Sequence, residues 1–101
     1  MSSRSKFTLE ITSRAMDDLE SIAIYTVRQW GEEQSVKYTR QIWAALQAIQ
    51  AKPNSGRERY GVPKVIRGRK SGSHVIFYRC EGQTIYIMRI LHESMDHGRH
   101  L

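Results

Sequence analysis

The densest pattern of apolar positions lies near the C-terminus, where two apolar runs follow each other. Residues 74–80 (His-Val-Ile-Phe-Tyr-Arg-Cys) and 84–91 (Thr-Ile-Tyr-Ile-Met-Arg-Ile-Leu) are mostly β-branched or aromatic, and Glu81-Gly82-Gln83 separates them. Two such runs around a short glycine-containing connection predict a β-hairpin. Because neither run alternates cleanly between apolar and polar residues, both faces should be covered, and the hairpin is predicted to form the centre of a sheet.

The preceding part of the chain predicts one strand and two helices. Residues 7–11 alternate between apolar and polar, which is typical of a strand with one solvent-exposed face. From Thr12 or Ser13, either of which can cap a helix, apolar residues recur at helical spacing as far as Trp30. Gly31 is expected to end this helix, and a second one should run from residue 32 to Lys52-Pro53, where proline stops it. Residues 64–69 are a weaker candidate for a strand, because they are highly charged and contain glycine.

This order of elements, β-α-α-β-β-β, predicts an α+β fold with one domain over residues 1–101. An antiparallel helical hairpin should pack on one face of a small, mainly antiparallel sheet. The first strand is expected to lie beside one of the later strands. Cys80 and Met88 are interpreted as core residues.

The chain of 101 residues has a single cysteine and no apolar run approaching the about 20 residues needed to span a bilayer. We therefore expect a soluble protein of the reducing cytoplasm, with no membrane association.

The net charge of +6 is concentrated in the second half of the chain. Residues 52–101 contain ten basic and four acidic residues, and six of the ten lie in residues 57–70. Such a cluster favours an acidic partner, whether nucleic acid, an acidic protein tail or an anionic surface, although clusters of this kind also serve solubility alone.

The sequence contains no motif of a zinc helix, calcium loop, phosphate loop or nucleophile elbow. His92, Asp96 and His100 would share a helix face, but one carboxylate between two histidines is a poor metal site, so we predict neither a metal nor a cofactor. Metal-free RNA cleavage would need a proton-transferring group such as His92 and nearby arginines. For Arg79 and Arg89 we favour ion pairs over the sheet instead.

Four segments, in order and at compatible spacing, resemble the ParE toxins of bacterial type II toxin–antitoxin systems, within the RelE/ParE superfamily. They are Ala15-Met16-Asp17-Asp18-Leu19-Glu20-Ser21-Ile22 followed by Tyr25-Thr26, then Trp30-Gly31-Glu32-Glu33-Gln34, Pro53-Asn54-Ser55-Gly56-Arg57, and finally residues 74–79 with 89–96. The resemblance runs from about Phe7 to Leu101. It implies a helical hairpin on a twisted antiparallel sheet, which agrees with the fold predicted from the pattern.

The resemblance also implies a function in plasmid or chromosome maintenance. A toxin of this family would inhibit DNA gyrase, either alone or with its bound DNA, so that cleaved DNA complexes accumulate and replication is blocked. It would not itself be an enzyme, and a ParD-type antitoxin would neutralise it in a hetero-oligomer. Two alternatives remain: a RelE-like, ribosome-dependent mRNA endonuclease, and an inactive binding module with the toxin fold.

Two groups of residues are candidates for these contacts. From charge and expected exposure, the target-binding candidates are Arg57, Arg59, Arg67, Arg69, Lys70, His92, Met95, Asp96 and Arg99. From the apolar faces of the helices, with Trp30, Tyr38 and Trp43 as a possible aromatic groove, the antitoxin-binding candidates are Leu19, Ile22, Trp30, Tyr38, Ile42 and Leu46.

Overall fold

The computed structural model describes residues 6–101 and contains the predicted elements in the predicted order. The elements are β1 (Thr8–Ile11), α1 (Ser13–Trp30), α2 (Glu32–Ala51), β2 (Arg67–Ser71), β3 (His74–Glu81) and β4 (Thr84–His92), with short 3-10 turns at Pro53–Ser55 and His97–His100. The predicted α+β class and the helical hairpin are confirmed.

The two helices begin and end where their capping residues predict. The Thr12 hydroxyl oxygen accepts the Ala15 N–H at 3.2 Å, while the hydroxyl itself donates to the carbonyl of Ile87 in β4 at 2.8 Å. The N-cap therefore also ties α1 to the sheet. Gly31 separates α1 from α2 with φ +91°, a conformation that favours glycine.

The sheet has the strand order β1-β4-β3-β2. Strand β1 runs parallel to β4, and the other two pairings are antiparallel. The β3–β4 hairpin is therefore the centre of the sheet, as predicted, and β1 lies beside a later strand.

Each face of the hairpin packs against its own hydrophobic core. The larger core lies between the helices and the sheet and includes Leu46, Ile76 and Tyr78. The smaller core, on the opposite face, is formed by Ile66, Val75, Phe77 and Leu91, against which Val62, Met88 and Leu101 pack. Met88 is partly buried, in line with its interpretation as a core residue.

Cys80 is exposed, so the prediction that it fills the core is wrong. It lies near the end of β3, where the burial of the strand stops and the next residue, Glu81, is also exposed.

Strand β2 begins three residues later than the pattern predicts, at Arg67 instead of Lys64. The Ile66 N–H donates to the carbonyl of Pro63 at 2.9 Å, which closes a turn, and the Ile66 side chain is buried in the smaller core. Gly68, which was expected to weaken the strand, forms a two-way backbone bridge with Arg57. A side chain at Gly68 would collide with the stem of Arg59, so glycine permits this close approach.

Candidate partner-binding site

A β-bulge in the central hairpin brings together the side chains of the candidate site. Tyr78 pairs with Ile87 and Phe77 pairs with Arg89, so the register shifts by one residue and Met88 is left without a partner in β3. Because side chains alternate between faces, this shift moves the following residues of β4 to the other face. His92 consequently pairs with His74 on the face that carries the helices.

Tyr38 of α2, His74 of β3 and His92 of β4 form a continuous cluster on that face. The rings of Tyr38 and His74 meet edge to face with centroids 5.5 Å apart, and those of His74 and His92 do the same at 5.3 Å. The Tyr38 hydroxyl accepts the Ser73 N–H at 2.8 Å and lies 2.6 Å from Nδ1 of His74. Tyr38 therefore fastens α2 to the β2–β3 turn.

Hydrogen bonding assigns the protons of both imidazoles. The Tyr38 hydroxyl is 3.4 Å from the carbonyl of Ser71 and 2.6 Å from Nδ1 of His74, and from the shorter distance we infer that its proton is donated to Nδ1. Nδ1 of His92 accepts the backbone N–H of Ser94 at 3.1 Å. Both neutral rings thus carry their proton on Nε2. Neither Nε2 atom has a hydrogen-bond partner among residues 6–101.

The pKa of His74 is lower than the ordinary value for histidine. Burial, which disfavours the charged ring, is the main cause, and the neighbouring His92 adds repulsion. Asp18 and Glu93 oppose this shift. His74 is therefore a neutral imidazole at pH 7.

Two cavities adjoin at this cluster, and Tyr25, His74 and His92 line both of them. The first has a volume of about 550 Å³ and lies between the helices and the β2–β3 turn, with Trp30 and Tyr38 in its wall. The second, of about 350 Å³, extends along α1. We call the combined feature the histidine groove; its lining comprises Asp18, Ser21, Ile22, Tyr25, Thr26, Trp30, Gln34, Tyr38, Ser73, His74, Arg89, Ile90, Leu91, His92 and Met95.

An ion pair between Asp18 and Arg89 closes one end of the histidine groove. Both oxygens of Asp18 accept from the Arg89 guanidinium at 2.8 Å, and one of them also accepts the Ile90 N–H at 2.8 Å. The hydrogen bond to Asp18 raises the pKa of Arg89. Arg79 pairs with Glu81 and lies over the Tyr86 ring. The interpretation of Arg79 and Arg89 as ion-pairing residues is confirmed.

The basic run is divided between the two faces of the sheet, because β2 residues alternate. Arg67 and Arg69 are on the helix side, where they donate to the carbonyl of Gly56 at 2.9 Å and to the Ser55 hydroxyl at 3.1 Å. Lys70 points the other way and pairs with Glu93 at 2.9 Å. Arg57 and Arg59 have no ion pair within the described part of the chain.

The predicted target residues of the C-terminal segment are divided between the end of β4 and the segment after it. His92 ends β4 and lines the histidine groove together with Met95, whereas Asp96 and Arg99 are exposed in the turn that follows. Within residues 6–101, no group of three or more His, Cys, Asp or Glu side chains is placed to hold a metal ion.

Burial changes the list of antitoxin-binding candidates. Four of these candidates are buried in the larger core and contribute to the fold: Leu19, Ile22, Ile42 and Leu46. A partner could reach them only if the helices were unpacked from the sheet. Ile22 is the exception, because it also lines the histidine groove. Trp30 is 70% exposed, and with Tyr38 it lines the first cavity. The helical period identifies a core face, but it does not reveal which flanking residues stay uncovered.

Tyr25, His74 and Asp18 are site residues that no sequence pattern identifies. In the sequence, His74 is only the first residue of a predicted strand. Its pairing with His92 depends on a β-bulge for which the sequence contains no local motif. Tyr25 lies outside the apolar face of α1. It is recognised as a site residue because its side chain is exposed, and not because it is a tyrosine.

The chain was compared with protein families and known structures. The family model described as the ParE toxin of the type II toxin–antitoxin system parDE matches residues 9–97. A protein named Toxin ParE1 from Caulobacter vibrioides is 37% identical over 91 residues, which cover 90% of this chain and 94% of that protein. Toxin ParE1 of Mycobacterium tuberculosis is 35% identical over 92 residues, with the same shares covered.

A solved structure described as the chromosomal ParDE toxin–antitoxin system from P. aeruginosa has a similar fold. The superposition has a TM-score of 0.77 at 25% identity and covers 86% of this chain and 96% of that one. In the described chain, no helix is both long enough and apolar enough to cross a membrane. The family match over nearly the whole fold, the two relatives and the shared architecture agree, and the chain belongs to the ParE toxin family of type II toxin–antitoxin systems.

Proposed function

We propose that this chain is a toxin that inhibits DNA gyrase in the bacterial cytoplasm, stabilises cleaved DNA complexes and is neutralised by a ParD-type antitoxin. The observation that carries the proposal is the family match over residues 9–97, which spans both helices and all of the sheet except Thr8. The toxin acts by binding, not by catalysis.

The surface proposed to meet the gyrase–DNA complex is the basic loop before β2. Arg57 is exposed and Arg59 is half-buried, and the guanidinium groups of both are free of ion pairs in the described structure. Arg67 and Arg69 extend this positive surface along the edge strand, although each also makes one local hydrogen bond. Phosphates and acidic protein segments are the groups that such a surface attracts.

The surface proposed for the antitoxin is the histidine groove with the exposed side of α1. Trp30 and Tyr25, which both line the groove, are 70% and 63% exposed. Uncovered apolar surface of this extent marks a binding site, and a disordered partner segment can fold onto it. His92 and Met95 belong both to this groove and to the predicted target residues, so an antitoxin seated here would also cover part of the target-binding surface.

The arrangement around His92 argues against the mRNA-cleaving alternative. Stabilising the charge of a cleaved phosphodiester requires cations that are available beside the proton-transferring group. The nearest candidates are already paired, Arg89 with Asp18 and Lys70 with Glu93.

The test uses the double variant Arg57→Gln/Arg59→Gln, which removes two charges and keeps most of the aliphatic stems. Inhibition of gyrase supercoiling by the purified toxin should weaken at least tenfold, because both residues are proposed to contact the target. The matched control is Arg28→Gln/Arg40→Gln, which removes the same charge from exposed helix positions and should inhibit like the wild type. Thermal unfolding of both variants reports whether they remain folded.

Two results would overturn the proposal. One is a folded wild-type chain that leaves supercoiling unaffected, and the other is the same chain cutting messages in a ribosome-dependent assay. A loss of inhibition in the control variant as large as in Arg57→Gln/Arg59→Gln would reject the basic loop as the contact surface and leave only a general effect of charge.

A further inference from the structure

The histidine groove contains two unused donors side by side. His74 and His92 are direct cross-strand partners, their rings are 5.3 Å apart, and both line both cavities. Their Nδ1 atoms are occupied by Tyr38 and Ser94, so each ring offers only Nε2–H to a ligand. Two imidazoles whose ring centroids are 5.3 Å apart are close enough for one group with two acceptor oxygens to contact both rings.

The surroundings favour a carboxylate on a peptide over a nucleic-acid phosphate. The walls of the groove are aromatic and apolar, with Tyr25, Trp30, Ile90 and Met95 among them. The arginine of the groove, Arg89, is held by Asp18, whereas phosphate sites normally present available cations. The unpaired cations Arg57 and Arg59 are not among the residues that line it.

We propose that the Nε2–H groups of His74 and His92 together bind one carboxylate of an acidic antitoxin residue flanked by apolar side chains, and that antitoxin binding is therefore coupled to proton uptake. This inference rests on the proposed function, because it assigns the antitoxin to the histidine groove. It adds the chemical class of the anchoring residue and a dependence on pH.

The pH dependence follows from the charges around the pair. In the free toxin, burial and the neighbouring His92 disfavour the charged form of His74, while Asp18 and Glu93, each paired with a cation of its own, only partly oppose this effect. A carboxylate placed against both rings would favour the protonated form and raise the pKa of at least one of them. The titratable and charged groups that face the pair from all packed elements are Asp18 and Tyr25 of α1, Tyr38 of α2, Lys70 of β2, Arg89 of β4, and Glu93.

The sign of the effect is determined by linkage. If binding raises the pKa of a histidine, the complex binds more protons than the free toxin, so the antitoxin binds more tightly at low pH. The gain is complete below the pKa of the free toxin and disappears as the pH rises through the pKa of the complex. Each unit of pKa increase corresponds to a tenfold gain in affinity.

The first arm of the test examines the free, full-length toxin by NMR of its histidine rings, with acetate and inorganic phosphate as probes. Acetate should shift the ring signals of His74 and His92 and raise the pKa of one of them, while His100, which lies outside the groove, should not respond. Phosphate should have a weaker effect. An equal or stronger response to phosphate, or no response to acetate, would overturn the carboxylate assignment.

The second arm measures the affinity of the co-expressed ParD-type antitoxin for the toxin at pH 6 and pH 8. The wild type should bind about tenfold more tightly at pH 6, and His92→Gln should reduce this ratio to about one while staying folded, because His92 is exposed. His74→Gln should do the same if it folds, and His100→Gln should keep the wild-type ratio.

Tight binding with no dependence on pH would overturn the inference and leave the proposed function intact. An antitoxin that does not bind at all would count against the proposed function, and the acetate arm would still decide the chemistry of the groove.

Discussion

A single tyrosine explains why the loop after α2 has its particular sequence. Tyr78 is fully buried in β3, and its hydroxyl donates to the carbonyl of Pro53 at 2.7 Å and accepts the Gly56 N–H at 2.8 Å. A Cβ atom at Gly56 would lie 2.4 Å from that hydroxyl, so no larger residue fits without displacement. Burial raises the pKa of Tyr78, which keeps the hydroxyl protonated and able to donate.

We therefore expect Tyr78→Phe to destabilise the protein by about 1–3 kcal/mol, because it leaves a buried carbonyl and a buried N–H without partners. Gly56→Ala should destabilise in the same direction through the clash. The measurement is the free energy of unfolding from urea denaturation. Tyr60→Phe, at a residue that is 94% exposed, removes a hydroxyl from the surface and should leave stability unchanged. A Tyr78→Phe variant as stable as Tyr60→Phe would mean that the loop does not depend on this hydroxyl.

Some residue roles could be predicted from the sequence and others could not, for a physical reason. Thr12 and Gly31 act locally, since capping and a left-handed conformation depend on the nearest few residues, and both predictions are confirmed. Tyr78 and Cys80 are two residues apart in the same strand, yet one is buried and the other exposed. That difference depends on how far the helices extend over the sheet, which composition does not encode.

At the scale of elements, one ion pair joins α1 to the sheet in addition to the Thr12 cap and the larger core. The side chains of Asp18 and Arg89 are only 13% and 15% exposed. Asp18 also accepts the N–H of Ile90, a residue of β4 that lies past the point where β1 stops pairing with that strand. Arg89 in turn donates to the carbonyl of His100 at 3.2 Å. One carboxylate thus joins the first helix, the last strand and the C-terminal segment.

Replacing Asp18 by Asn should cost about 3 kcal/mol of unfolding free energy, because it leaves the Arg89 guanidinium largely buried without a counter-charge. Asp17→Asn is the matched control, since the neighbouring carboxylate is exposed and should contribute little. Urea denaturation of the two variants gives the comparison. If Asp18→Asn and Asp17→Asn are equally stable, the attraction between Asp18 and Arg89 only compensates for the hydration that the two charges lose when they are buried.

The elements themselves follow from periodicity, whereas their register does not. Alternation and glycine-containing turns predict the β3–β4 hairpin, but the unpaired Met88 has no sequence signal, because apolar residues occupy both faces of these strands. Without that bulge, His92 would lie on the face opposite His74, and the histidine groove would lose half of its donors. The most consequential feature of the site is therefore one that a pattern of apolar positions cannot specify.

At the scale of the whole molecule, the unpaired arginines and the exposed aromatic residues of the histidine groove lie in different elements. The excess positive charge is in the second half of the sequence, with its unpaired arginines in the loop before β2. That loop also exposes Tyr60 and Val65, whereas the exposed aromatic residues of the groove, Tyr25 and Trp30, are on α1. His92 and Met95 belong both to the groove and to the residues proposed for target binding, so a neutralising partner seated in the groove would cover part of the target surface.

If the toxin indeed has two separate surfaces, variants should separate its two activities. Trp30→Ala should retain gyrase inhibition and growth arrest but need about tenfold or more antitoxin for neutralisation, because a large exposed aromatic side chain of the groove is lost. Arg57→Gln/Arg59→Gln should show the reverse, with toxicity lost and antitoxin binding kept.

The control is Trp43→Ala. Trp43 is a second tryptophan on the helical hairpin, 40% exposed but outside the histidine groove, and its replacement should leave both activities unchanged in a folded protein. Supercoiling assays and antitoxin titrations on all three variants give the comparison. If Trp30→Ala and Trp43→Ala weaken neutralisation equally, the antitoxin spans the outer surface of both helices, and the groove is not its principal site. If Trp30→Ala also abolishes gyrase inhibition, target and antitoxin bind the same surface. The antitoxin would then neutralise the toxin by displacing the target directly, and not by obstructing the edge of a separate surface.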